Sequence, residues 1–166
     1  MKNFFFLLLG LTFFLGSCTK SAKCGFTDSN ASASAAEITH IQDYLATNSI
    51  AATQHPSGFF YSIDNPGSGN TATICSNITV NYTGTLLSTG VVVDSNNAGA
   101  GVSFVLGQLI VAWQKALPLI KSGGSITLYV PPSLGYESAD VRNEYGVVVI
   151  PANSYLKFSI HLLDVQ

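Results

Sequence analysis

Chemistry has few places to reside in this chain. The three histidines, His40, His55 and His161, fall in three separate stretches. No His-x-x-x-His, His-Glu-x-x-His or clustered carboxylates offer a metal its ligands, so neither metal nor cofactor is expected. No Gly-x-Ser-x-Gly elbow or Ser-His-Asp spacing offers an activated nucleophile. What remains is an aromatic and aliphatic set near the ends of strand-like runs: Tyr82, Val93, Asp94, Leu109, Ile110, Trp113, Tyr136 and Phe158. Such a set would line an apolar pocket with a few polar handles, suited to a peptide or a small apolar ligand.

The elements that must position this set are organised around Val102–Leu117. This stretch opens as an extended apolar run and changes period at Leu106-Gly107. From Leu109 the apolar residues recur at helical spacing, through Ala112, Trp113, Ala116 and Leu117. One helix in a mostly strand-like chain must be covered by a sheet. Pro118 should stop it, because proline lacks the amide a longer helix needs. Strands are expected at Phe59–Ile63, Thr73–Tyr82, Val91–Val93, Val102–Leu106, Ser125–Val130 and Tyr155–Val165. In the last two, apolar residues alternate with polar ones, as on antiparallel strands with one wet face. Ser133–Val149 reads as a long loop. Ser34-Ala-Ala-Glu37 is a capping-box pattern that opens a short helix to about Ala46, with Ile38, Ile41 and Leu45 on one face. The sum is an α+β fold of five to six strands wrapped on one short helix, with a short helix before it.

Several segments then resemble the FKBP-type peptidyl-prolyl isomerases. Val80-Asn-Tyr82-Thr-Gly84 resembles their V-x-Y-T-G segment, and Gly90–Asp94 falls where they have a turn, a strand and an acidic residue. Phe104–Trp113 resembles F-x-L-G-x-x-I-x-G-W, Gly124–Tyr136 their G-to-P-to-Y segment, and Ile150–Phe158 their I-P-x-N-x-x-L-x-F ending. The likeness runs in order from about Gly58 to Gln166. It implies a half-wrapped antiparallel sheet and an apolar pocket that isomerises Xaa-Pro bonds of exported polypeptides. By position, Trp113 is the floor, and Tyr82, Val93, Val102, Leu109, Ile110 and Phe158 are walls. The Ile110 amide holds a substrate carbonyl, Asp94 sits at the pocket edge, and the Tyr136 hydroxyl binds a ligand carbonyl. Macrolides are implied ligands. The departures are Val93 and Val102, where the best-known members carry phenylalanine, with Ala112, Leu134 and Glu137. A pocket missing two aromatic walls is expected to be wider. That leaves a second reading open: a peptide-binding or chaperone-like envelope module with little turnover.

Lys2 followed by the apolar run Phe4–Leu15 reads as a signal segment, too short for an ordinary membrane span. Its close, Leu15-Gly16-Ser17-Cys18, resembles the bacterial lipoprotein signal, so Cys18 is expected to carry lipid and anchor the protein; a plain secretory peptide or a short anchor is the alternative. Thr19 after the cysteine favours the outer membrane, facing the periplasm. The expected division is 1–17 signal, 18–53 tether and short helix, and 54–166 the isomerase-like domain. Without the signal, six Lys and Arg stand against nine Asp and Glu, a formal charge of −3, scattered along the chain. Nucleic-acid binding has no electrostatic support there, and a monomer is expected. Cys24 and Cys75 can pair in an oxidising compartment or remain as free thiols.

Overall fold

The computed structural model describes residues 24–97 and 99–166. The signal segment and Cys18 therefore lie outside the described residues. Seven strands form one antiparallel sheet: β1 (Thr53–Gln54), β2 (Phe60–Asn65), β3 (Asn77–Leu86), β4 (Val92–Asn96), β5 (Val102–Val105), β6 (Gly124–Val130) and β9 (Leu156–Val165). The order is β1-β2-β6-β9-β3-β4, and β5 also pairs with β3. β4 faces Tyr82–Thr85 and β5 faces Asn77–Val80, so the two share one edge of β3. The α+β class and the open antiparallel sheet agree with the sequence.

Alternation explains why β6 and β9 sit at the centre. Ile126, Leu128 and Val130 on β6, and Leu156, Phe158, Ile160 and Leu162 on β9, all point into the main core and are almost fully buried. Helix α2 (Val111–Ala116) crosses that inner face with Ala112, Trp113 and Ala116 buried. It is shorter than its apolar period suggests. Tight single turns at Leu106–Gln108 and Leu117–Leu119 flank it, the second containing Pro118. Proline can open such a turn but cannot extend the preceding helix.

Two expectations about strands and loops are corrected. The strand expected at Thr73–Tyr82 is displaced, and β3 runs from Asn77 to Leu86. Thr73–Ser76 closes instead as a turn, with the Ser76 amide donating to the Thr73 carbonyl (2.9 Å). Gly84 lies inside β3. It pairs with Phe158, and a Cβ there would lie 2.6 Å from the Phe158 ring, so glycine is what lets the ring lie across β3. The Ser133–Val149 stretch is not structureless: β7 (Val141–Arg142) and β8 (Val148–Ile150) form a hairpin. Asn143 holds its tip, accepting from the Tyr145 and Val147 amides.

The outer face of the sheet is only partly wet. Helix α1 (Ala35–Thr47) lies over it, burying Ile41 and Leu45 against Phe60, Leu87 and Tyr129. The full capping box at Ser34 and Glu37 starts this helix. The residues before it, expected as a tether, are mostly exposed but attached to the domain at four points. Cys24 is disulfide-bonded to Cys75, the Phe26 ring covers Gly107, Lys115 Nζ donates to the Ser29 carbonyl (2.7 Å), and the Ala33 amide donates to Ser57 (2.8 Å). Polarity suggested disorder here, but one crosslink and a few local contacts hold a short polar strap at little further entropic cost.

Candidate active site

A cleft of about 160 Å³ opens between α2 and the β3–β4–β5 corner, lined by Tyr82, Asp94, Phe104, Leu109, Ile110, Trp113, Tyr136 and Phe158. Its floor is built by helical spacing meeting strand register. Trp113 is buried on α2, while Tyr82 and Phe158 come from neighbouring strands. Both rings meet the indole edge-on, Tyr82 at 5.3 Å and Phe158 at 5.5 Å between centroids, with interplanar angles of 85° and 87°. Phe104 of β5 extends the aromatic wall, 6.4 Å from Tyr82. Edge-to-face contacts of this kind stabilise by about 0.5–1.5 kcal/mol each beyond area burial. The Trp113 indole N–H is buried without a partner among the described residues, so these ring contacts, not a hydrogen bond, set the floor.

The polar handles lie at the rim. The Tyr82 hydroxyl donates to Asp94 Oδ2 at 2.6 Å, a charge-assisted bond. Burial, then the bond to Asp94 and its negative charge, push the Tyr82 hydroxyl far above the ordinary tyrosine value. Tyr136 is raised as well, first by burial and then by the charge of Asp94. Both phenols therefore remain protonated donors through the physiological range. Loop geometry presents one more donor. Ile110 caps α2 in extended backbone, and its carbonyl accepts from the Trp113 and Gln114 amides (3.0 and 3.2 Å). Its own amide has no acceptor among the described residues. Gln114 Nε2 ties the loop from behind, donating to the Leu109 carbonyl (2.6 Å) and, more weakly, to Gly107 (3.3 Å). The arrangement can hold a small apolar ring on the indole and hydrogen-bond carbonyls at its edge. Among the described residues, no three His, Cys, Asp or Glu gather to hold a metal.

Of the residues expected from sequence, Tyr82, Asp94, Leu109, Ile110, Trp113, Tyr136 and Phe158 come together around this cleft. Val93 and Val102 do not line it; both pack, half-buried, against the main core. Asp94 faces Gly84 and Val92 faces Thr85, so Val93 is the extra residue of a bulge. Val102 is the register partner of buried Val80. Phe104 was missed as a lining residue. Its place two residues after Val102 on the same strand puts it on the same face, which was the available signal.

The chain belongs to the FKBP-type peptidyl-prolyl cis-trans isomerase family, whose model matches residues 69–163. It is 41% identical over 111 residues to "FKBP-type peptidyl-prolyl cis-trans isomerase FkpA" of Buchnera aphidicola subsp. Schizaphis graminum, a match covering 66% of this chain and 42% of that protein. It is 34% identical over 111 residues to "Outer membrane protein MIP" of Legionella longbeachae, covering 67% of this chain and 46% of that one. The chain thus spans less than half the length of these relatives. The crystal structure of FkpA from Escherichia coli superimposes with a TM-score of 0.62 at 30% identity, over 80% of this chain and 60% of that one.

Proposed function

We propose that the cleft catalyses cis/trans isomerisation of Xaa-Pro bonds in exported polypeptides, with a proline ring seated on Trp113. The observation that carries this is the indole flanked edge-on by Tyr82 and Phe158 beneath a cleft of about 160 Å³. Drug-sized sites occupy about 300–1,000 Å³, so this one suits a single ring rather than an extended cofactor. Family membership supports the same reading.

The chemistry needs no covalent step. The barrier to amide rotation is about 18–20 kcal/mol, because resonance holds the peptide planar. A twisted amide loses that delocalisation, and its carbonyl becomes less polar. An apolar cleft that binds the twisted form better than the planar one lowers the barrier by the difference. The Ile110 amide and the Tyr136 hydroxyl would hold the flanking carbonyls, and the Tyr82–Asp94 pair would fix the rim. Leu109 closes the side.

The address is part of the proposal. A lipid on Cys18 would hold the domain at the bacterial outer membrane, facing the periplasm, where slow proline isomerisation limits the folding of newly exported chains. Likeness to a protein named for the outer membrane supports an envelope setting. Macrolides are proposed ligands that seat one apolar group in the cleft and leave the rest of the ring at its rim. A protease-coupled assay on proline tetrapeptides tests the activity, with catalysis above the uncatalysed rate expected. No acceleration with any residue before the proline overturns the isomerase reading. A second reading, client binding with little turnover, is favoured by the β7–β8 tip, where Tyr145 is 82% and Val147 58% exposed. Suppression of client aggregation that is lost when both are made serine, without loss of isomerisation, would support it.

A further inference from the structure

Glu37 satisfies two elements at once. Within α1 it completes the capping box, with Oε2 accepting from the Ser34 amide (2.8 Å) and hydroxyl (2.9 Å). It also crosses to a segment 96 residues away. Oε1 accepts from the Ser133 amide (2.9 Å) and Oε2 from the Ser133 hydroxyl (3.1 Å). A helix cap requires only the first pair. The second pair falls on a segment whose need is plain. Pro131 and Pro132 carry no amide, so Ser133 holds the first donor of the tight turn Pro132–Leu134, and Glu37 accepts it. Opposing burial, the four hydrogen bonds together hold the Glu37 carboxyl below its ordinary value, so it stays charged in this role.

Three residues further on, the same segment delivers Tyr136 to the cleft. Its far side is fixed too. The Glu137 amide donates to the Pro132 carbonyl (2.9 Å), and the Glu137 carbonyl accepts from the Asn153 amide (2.7 Å). Tyr136 therefore hangs between two anchors, one inside the domain and one supplied by α1. We infer that Glu37 is a positioning residue for isomerisation, holding through Ser133 the turn that aims the Tyr136 hydroxyl into the cleft. This rests on the reading of Tyr136 as the group that binds a substrate carbonyl. It makes α1 part of the working enzyme rather than a cover for the outer sheet face.

The test is a double-mutant cycle on the full chain. Glu37→Ala should lower kcat/KM on proline tetrapeptides by about fivefold, a typical size for coupled neighbours. Tyr136→Phe should lower it as well, and the double variant should be no worse than Tyr136→Phe alone. Ser34→Ala, which weakens the helix cap but leaves Ser133 its acceptor, should lower stability and spare activity. Glu37→Gln, which retains one acceptor for the Ser133 amide, should recover much of the loss, and it carries the cycle if Glu37→Ala is too unstable to assay. Multiplicative losses in the double variant, or an equal loss in Ser34→Ala, overturn the inference. If Tyr136→Phe keeps full activity, it is the reading of Tyr136 that fails. The Tyr136 ring resonances then still decide the positioning: they should shift in Glu37→Ala and not in Ser34→Ala, and unchanged signals in both would overturn it.

Discussion

Glu137 follows Tyr136 with φ of +54°, a left-handed conformation that costs a side chain with a Cβ about 1–2 kcal/mol and a glycine almost nothing. Glutamate here occupies a conformation that favours glycine. Glu137→Gly should therefore relieve strain, partly offset by the greater freedom of glycine in the unfolded chain. The expected net gain is up to about 1 kcal/mol, read as a higher denaturant midpoint. A lower midpoint would mean that the exposed Glu137 side chain has a stabilising partner. Val93 and Val102 could be matched to wall positions by their order in the chain, but residue order does not reveal a bulge. The irregularity opposite Gly84-Thr85 leaves Val93 without a register partner, while Phe104 supplies an aromatic wall nearby.

At the scale of elements, the turn before β2 ties the strap to the sheet. His55 Nδ1 accepts from the Ser57 amide (3.1 Å), and its ring stacks on Phe59 with centroids 4.4 Å apart. That bond requires an unprotonated Nδ1. Burial, and then the positive charge of Lys115, lower the His55 value below 6.5. A base whose folded value is depressed resists protonation more than it does in the unfolded chain. Its stabilising contribution is thus complete above about pH 6.5 and lost as pH falls through the folded value. Stability measured by urea should fall between pH 7 and pH 5 by more in the natural protein than in His55→Gln, which does not titrate. Parallel curves would show that His55 contributes no pH dependence. Little of this was legible beforehand, because the His55-Pro56-Ser57-Gly58 signal identified a turn without its neighbours. The alternation of β6 and β9 was plain in the sequence, since a half-buried strand writes its faces in period two. The β3 boundaries were not, because Thr73–Ser76 has the composition of a strand yet closes as a turn on its own hydroxyls.

For the molecule as a whole, the Cys24–Cys75 bond poses the question of what the strap is for. The two cysteines are 51 residues apart, and closing a loop of that size in the unfolded chain contributes on the order of 4 kcal/mol in the chain-entropy account. The strap's native contacts are few: a phenyl ring over Gly107, one lysine bond to a carbonyl, one amide bond, and Ala31 and Ala33 against the main core. Reduction should therefore lower the unfolding free energy by about 2–4 kcal/mol, a large share of the ~5–15 kcal/mol typical of a domain. The fold should nonetheless persist at 25 °C, because the buried residues of the main core, among them Phe59, Trp113, Leu128 and Phe158, all come from outside the strap. Activity is the discriminating measurement. Phe26 presses on Gly107, three residues before the Ile110 donor, so a strap that aims this loop would reduce catalysis when released. Gln114, however, holds the Gly107 and Leu109 carbonyls from the opposite side, and α2 itself fixes the Ile110 carbonyl. The expected result is a reduced protein that unfolds at lower denaturant yet isomerises proline peptides within about twofold of the oxidised form, a change smaller than a single lost hydrogen bond would cause. A fall of tenfold or more with the midpoint unchanged would assign the strap to the cleft instead, and reduction would then act on catalysis rather than on stability.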